Sequence, residues 1–119
     1  MASINKLSSL LLPLLAAGAF SAVAATSTAF AADPEVRISI QEHKFSPAEV
    51  KVPANQRVKL IVLNKDDTPE EFESSVLSVE KIIPGGNRAT IFIGPLKPGR
   101  YPFMGEFHQS TAQGVVVAE

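Results

Sequence analysis

The chain has 119 residues, of which 45% are hydrophobic and 19% are charged, and its formal net charge is -1. A chain of this length and composition holds one globular domain, and its balanced charge excludes the basic surface that a nucleic-acid-binding protein needs. It contains no cysteine, which excludes disulfide bonds, thiolate metal ligands and cysteine-based hydrolysis.

The first 31 residues have the layout of a secretory signal peptide. Lys6 supplies a positive charge, an apolar run extends from Leu10 to Val23, and Ala29-Phe30-Ala31 places small residues at the spacing that signal peptidase requires. The alternative is a transmembrane anchor, but the apolar run is short for a membrane span and is interrupted by proline and glycine. We therefore predict cleavage after Ala31, export to a periplasm, and a mature domain of residues 32–119.

Residues beyond the predicted cleavage site alternate with a period of two, which is typical of half-buried β-strands. Val36, Ile38 and Ile40 alternate with polar residues, and the segments 49–52 and 57–63 repeat the pattern. Further strands are predicted at 89–93, 100–104 and 114–118, and 72–79 is predicted to be extended or a short irregular segment. Turns are predicted at 53–56, 84–87 and 97–99, where proline, glycine and asparagine gather.

This pattern predicts an all-β domain, because no segment after the cleavage site has a helical stripe. About seven short strands at near-regular spacing are typical of a two-sheet antiparallel sandwich or barrel. An immunoglobulin-like sandwich is the structural alternative, although that fold usually has a core tryptophan and this chain has none. A serine hydrolase is disfavoured because no glycine-x-serine-x-glycine element occurs.

Four segments resemble the cupredoxin family in their order and spacing. They are 43–54, which contains Phe45-Ser46-Pro47, then 62–66, 96–101, and His108 with the strand 114–117. The resemblance implies a cupredoxin-like Greek-key β-sandwich. In blue-copper members of that family the metal is bound by two histidines, one cysteine and a weak axial methionine.

The chain departs from the blue-copper ligand pattern at most of these positions. By the resemblance, Glu70 replaces the first histidine, Met104 stands near the cysteine, His108 stands at the second histidine, and Gln113 stands at the axial methionine. Because the thiolate is missing, neither the intense blue colour nor the tuned copper electron transfer of those members is implied.

A narrower resemblance comes from segments 68–74, 80–81, 93–99 and 105–108. They are similar to the small cupredoxin component of bacterial ferrous-iron uptake operons, and the glutamate-aromatic-glutamate element is also similar to the cupredoxin domain of Efe-type iron-uptake proteins. This resemblance implies a periplasmic protein that binds an iron or copper ion and assists ferrous-iron oxidation before import. A membrane iron permease or another periplasmic iron-uptake protein is the implied partner.

Two acidic segments supply the candidate metal ligands. If Phe72 points into the core, strand parity places Glu70 on the same side and Glu71 and Glu73 on the opposite face. If the chain is extended after the strand predicted at 100–104, Glu106 and His108 share a face and Phe107 turns inward. We expect Glu70, Glu106 and His108 to share one metal, with Glu71, Glu73 and Met104 as lesser candidates.

The same residues also have plainer interpretations. Asp66 and Asp67 are predicted to be solvated loop residues. Met104 is either core filling or a soft ligand, His43 is either a surface or capping histidine or a member of the site, and Gln113 is a further candidate. The functional alternative is a metal-free binding module that uses the sandwich as a scaffold for a protein contact.

Overall fold

The computed structural model describes Pro13, residues 16–26 and residues 31–119. The chain divides into two units, Met1–Phe30 and Ala31–Glu119. Ala29 and Phe30 of the predicted cleavage motif lie outside the described residues, so cleavage after Ala31 stays a prediction. Among the described residues, no helix combines the length and apolar character needed to cross a membrane.

Within residues 31–119 the chain forms nine strands and one short 3₁₀ helix. They are β1 (Glu35–Gln41), β2 (Lys44–Ser46), β3 (Glu49–Val52), β4 (Val58–Asn64), β5 (Glu70–Ser74), β6 (Val79–Ile83), β7 (Arg88–Ile93), β8 (Gly99–Gly105), the 3₁₀ helix η1 (Glu106–His108) and β9 (Gln113–Ala118).

The strands of this region form two sheets, which confirms the predicted all-β sandwich. The first sheet has the order β2-β1-β4-β7 and the second has the order β3-β9-β8-β5-β6. The structure differs from the prediction in having nine strands rather than about seven, and in two parallel pairs, β1 with β4 and β3 with β9. Alternation shows which face of a strand is buried, but it carries no information about the partner strand or its direction.

The core between the sheets contains three phenylalanines in mutual contact. Phe45 comes from β2 in the first sheet, and Phe72 and Phe103 come from β5 and β8 in the second. The ring centroid of Phe103 lies 4.9 Å from that of Phe45 and 4.8 Å from that of Phe72. Each buried ring contributes roughly 1.5–3 kcal/mol of transfer free energy. These rings lie close in sequence to the polar residues at one end of the sandwich, and they fix the strands that present those residues.

Candidate metal centre

Glu70 is a buried carboxylate at the start of β5. Its position two residues before buried Phe72 places it on the inner side of the strand, as predicted, and it is only 1% exposed. Its Oε1 atom accepts hydrogen bonds from the backbone N–H groups of Glu71 and Phe107, each at 3.0 Å. Its Oε2 atom lies 2.5 Å from His108 Nδ1. A buried carboxylate is costly unless it has such partners, and these three contacts fix its position.

Gly105 provides the space that the Glu70 carboxyl group occupies. A Cβ atom added at Gly105 would lie 2.6 Å from Glu70 Cδ and 2.6 Å from the Cβ of Ala112. The Gly105 N–H donates to the Ala112 carbonyl at 2.8 Å, so the backbone here is closed against the following loop. Any larger residue at position 105 would have to displace both the carboxyl group and that loop.

His108 is presented by the short helix η1, which follows β8 directly. The backbone N–H groups of Thr111 and Ala112 donate to the His108 carbonyl at 3.1 and 2.8 Å, and these bonds define the turn after η1. The His108 side chain is 27% exposed, and that of Glu70 is 2% exposed. The histidine therefore lies between the buried carboxylate and solvent.

His43 approaches the same point from the first sheet. It occupies the two-residue loop between β1 and β2, in which Glu42 and His43 have φ angles of 54° and 58°. The His43 ring stacks on the His108 ring, with centroids 3.5 Å apart and an angle of 12° between the planes. The sequence did not decide whether His43 is a surface or capping histidine or a member of the site, because its contact with His108 depends on the packing of two distant segments.

One ligand atom from each of His43, Glu70 and His108 lies within 4.8 Å of the others. Two imidazole nitrogens and one carboxylate oxygen are ligands that suit Fe(II), Cu(II) and Zn(II). The residues present therefore fit a bound metal ion, although not one that requires a thiolate. We call these three residues the histidine–glutamate centre.

Glu106 lies in a different cluster. A carboxylate oxygen of Glu106 lies within 4.8 Å of carboxylate oxygens of Glu71 and Glu73, and we call these three residues the acidic cluster. The structure thus divides the predicted shared set, placing Glu70 and His108 in one group and Glu106 in the other. The expectation of an extended segment was wrong: Glu106–His108 is a 3₁₀ helix, and with three residues per turn, residues two apart point in different directions. Phe107 was predicted to turn inward, but it is 46% exposed.

Two carboxyl groups of the acidic cluster, those of Glu71 and Glu73, have raised pKa values. Partial burial, followed by the charge of neighbouring Glu106, raises the pKa of Glu71 above its ordinary value. The pKa of Glu73 is also raised, chiefly by a side-chain hydrogen bond with Glu106 and then by burial. Glu71 and Glu73 therefore each lose a proton less readily than an isolated glutamate does.

Met104 and Gln113 lie beside the acidic cluster. They face each other across β8 and β9, and Met104 is also the β8 partner of Glu73 on β5. Together with Glu73 they line a pocket of about 240 Å³. The Met104 side chain is partly exposed, so it is not the core filling that its place at a strand end suggested.

Asp66 is not the solvated loop residue that the sequence predicted, although Asp67 is exposed as expected. The Asp66 carboxylate accepts hydrogen bonds from the backbone N–H groups of Glu42 and His43, at 2.7 and 3.0 Å. The hydrogen bond from the His43 backbone is the main reason that the pKa of Asp66 is lowered. These contacts join residues 23 and 24 positions apart in the chain, a separation at which sequence periodicity is uninformative.

Comparison with known proteins places these observations in a family. The model of the family described as cupredoxin-like domain matches residues 14–118. The uncharacterised protein RP394 of Rickettsia prowazekii (strain Madrid E) is 49% identical over 83 residues, which cover 70% of this chain and 66% of that protein. The chain therefore spans slightly less than two thirds of the length of this relative.

Solved structures of copper proteins share the fold. The metal-binding domain of the Cu(I)-exporting P-type ATPase CopA of Streptococcus pneumoniae D39, solved with Cu(I), superposes with a TM-score of 0.61 at 14% identity, covering 71% of this chain and 84% of that one. An amicyanin mutant in its Cu(I) form also gives a TM-score of 0.61, at 19% identity, over 75% of this chain and 86% of that one. At these identities the likeness concerns the fold.

Proposed function

The chain belongs to the cupredoxin-like family, and from that premise we propose that it is an exported periplasmic protein that binds an iron or copper ion and assists ferrous-iron oxidation before import. The observation that carries this proposal is the convergence of His43, Glu70 and His108, whose ligand atoms lie within 4.8 Å of one another at one end of the sandwich. A membrane iron permease or another periplasmic iron-uptake protein is the proposed partner.

The ligand types support copper and iron on different grounds. Two imidazoles suit Cu(II), and the solved relatives CopA and amicyanin contain Cu(I). The Glu70 carboxylate supports iron, because an anionic oxygen ligand stabilises the harder Fe(III) more than Fe(II) and so favours oxidation. A bound ion would supply this redox chemistry. Oxidation of Fe(II) also requires an electron acceptor, and we propose a bound copper ion or the membrane permease partner for that role. The protein contributes the buried charge of Glu70 and the hydrogen bonds that hold that carboxylate in place.

The acidic cluster has a lesser part in this proposal. Glu71, Glu73 and Glu106 repel one another when ionised, and a cation near them relieves that repulsion. We propose that they attract cations to this end of the sheet, with the thioether of Met104 as an adjacent soft ligand. They form a group separate from the histidine–glutamate centre. Replacing them is therefore expected to weaken the attraction of cations to this end of the sheet without removing a ligand of the centre.

A metal-free binding module remains the second candidate function, and one observation favours it. In residues 31–119, no buried side-chain nitrogen or oxygen lacks a hydrogen-bond partner. The carboxyl oxygens of Glu70 in particular have hydrogen-bond partners in His108 and in backbone N–H groups. The buried polar atoms of the site therefore need no ion to complete their hydrogen bonding. Metal titration separates the two functions.

The test is metal binding by protein isolated from the periplasmic fraction. We expect isothermal titration with Cu(II), and anaerobically with Fe(II), to give one tight site, and we expect His108→Ala and His43→Ala each to weaken it by at least tenfold. The loop control Asp67→Asn is expected to leave that site unchanged. Ligand binding also raises stability, by about 2.7 kcal/mol at a hundredfold excess over Kd, and this appears as a rise in Tm.

Two results would overturn the proposal. If the protein bound neither ion and its Tm did not respond to either, the binding module would be the better function. If the intact mass of exported protein retained residues 1–31, the proposed processing would be wrong. Pull-down of a permease from membranes, lost in a protein without the histidine–glutamate centre, tests the proposed partner.

A further inference from the structure

We propose that Asp66 is a positioning residue for the metal centre, whose carboxylate holds the β1–β2 loop in the conformation that stacks His43 on His108. The link to metal binding rests on the proposed function. The positioning itself is a property of the metal-free protein and is testable without any ion.

The contacts of Asp66 are directed at the loop that carries His43. Its Oδ1 atom accepts the Glu42 N–H at 2.7 Å, and its Oδ2 atom accepts the His43 N–H at 3.0 Å. The same Oδ2 atom lies 3.5 Å from Nδ1 of the His43 ring. One carboxylate therefore contacts both the backbone and the imidazole of this residue. Since hydrogen bonds to a charged group are stronger than neutral ones, this is an effective clamp.

The loop needs such a clamp because its backbone is unusual. Both Glu42 and His43 have positive φ angles, a condition of the tight two-residue hairpin turn that connects neighbouring antiparallel strands. Histidine tolerates this region better than most residues, but glutamate is not among the residues enriched there. Without the carboxylate, we expect the loop to reach other conformations and the His43 ring to lose its fixed position on the His108 ring.

Asp66 is itself anchored to the rest of the sandwich through Asn64. The Asp66 N–H donates to Asn64 Oδ1 at 3.0 Å, and Asn64 Nδ2 donates to the carbonyls of Thr68 and Ile83 at 2.9 and 3.0 Å. Asn64 is fully buried. The chain of contacts thus runs from β6, through Asn64 and Asp66, to His43. This fixes the imidazole relative to the sheet that carries Glu70 and His108.

The experiment compares Asp66→Asn with Asp67→Asn, which removes a charge from the next, exposed position. The first readout is the set of nuclear Overhauser effects between the His43 and His108 ring protons in metal-free protein. The second is Cu(II) affinity by titration calorimetry. We expect Asp66→Asn to lose the cross-ring effects and to weaken Cu(II) binding by about tenfold, a typical result for a residue that orients a ligand. Asp67→Asn should change neither.

A rescue variant distinguishes positioning from general stability. Asparagine adopts positive φ more readily than glutamate, so Glu42→Asn in the Asp66→Asn background should restore part of the cross-ring effects and of the affinity. Should Asp66→Asn fail to fold, Asp66→Glu, which keeps the charge but displaces it by one methylene, is judged by the same two readouts.

The outcomes separate this inference from the proposed function. If wild-type protein binds no Cu(II) or Fe(II) while Asp66→Asn still loses the cross-ring effects, the proposed function fails and the positioning by Asp66 stands. If Asp66→Asn keeps the cross-ring effects, the positioning is refuted. If the effects disappear while Cu(II) affinity is unchanged, Asp66 has no role in metal binding and the inference also falls.

Discussion

Replacing Gly105 by alanine tests whether the space around the Glu70 carboxyl group has to stay empty. The added methyl group would lie 2.6 Å from Glu70 Cδ, 2.8 Å from Glu70 Oε1 and 2.6 Å from the Ala112 Cβ. Carbon atoms in proteins pack at about 3.5–4.0 Å. Because both overlaps have to be relieved, the carboxyl group and the loop that carries Ala112 must each shift by about 1 Å.

A shift of that size breaks contacts that hold the site together. Glu70 Oε1 accepts two backbone N–H groups at 3.0 Å, and both bonds would lengthen beyond useful range if the carboxyl group moved. Overpacking costs typically 1–3 kcal/mol, and each weakened hydrogen bond adds about 0.5–1.5 kcal/mol. With both bonds weakened, we therefore expect Gly105→Ala to lower the free energy of unfolding by about 2–6 kcal/mol.

The assay is thermal unfolding followed by circular dichroism, together with Cu(II) titration. For a domain of this size the expected loss corresponds to a fall in Tm of at least about 8 °C, and the affinity for Cu(II) should fall with it. Gly99→Ala is the matched control, because it lies on the same strand and its added Cβ meets nothing closer than 3.7 Å. If Gly105→Ala melted at the same temperature as Gly99→Ala, the steric argument would be refuted.

Three other predictions follow from features of the same region. Because the pKa of Glu73 is raised in the folded state, stability is expected to fall as pH rises above about 4.5. Glu73→Gln should therefore raise Tm at pH 7 and have little effect near pH 4, whereas an equal effect at both pH values would contradict the assigned cause. Phe72→Ala removes a fully buried ring and should cost about 3–5 kcal/mol in chemical denaturation; a loss below 1 kcal/mol would show that the ring is not part of the core. Copper-loaded protein should lack an intense band at roughly 600 nm, where Cu–thiolate sites absorb, and an absorption spectrum showing such a band would refute the histidine–glutamate centre as the copper site.

The sequence predicted most of the sandwich because alternation records burial directly. Val36, Ile38 and Ile40 mark one face of β1, and the same logic separated Glu70 from Glu71 and Glu73 across β5. The parallel pairing of β1 with β4 could not be predicted in this way, because alternation within one strand is the same whichever strand lies beside it.

The candidate site was predicted less completely, for two physical reasons. Helix η1 is three residues long, which is too short to show any periodicity, so the divergence of Glu106 from His108 had no signal in the sequence. The role of His43 depends on Asp66, 23 residues further along the chain, and on ring stacking with His108. Such contacts arise from tertiary packing. The one local clue was that His43 sits between two alternating segments and tolerates a positive φ angle.

The division of the histidine–glutamate centre between the two sheets has a mechanical consequence. His43 belongs to a hairpin of the first sheet, whereas Glu70 and His108 belong to the second. An ion bound by all three would cross-link the two sheets at this end of the sandwich, and separation of the sheets would break its coordination. Ion binding and the transient separation of the two sheets are then linked. Amide hydrogen exchange in β2 and in η1 should therefore become slower over the same range of ion concentration in which the ion binds.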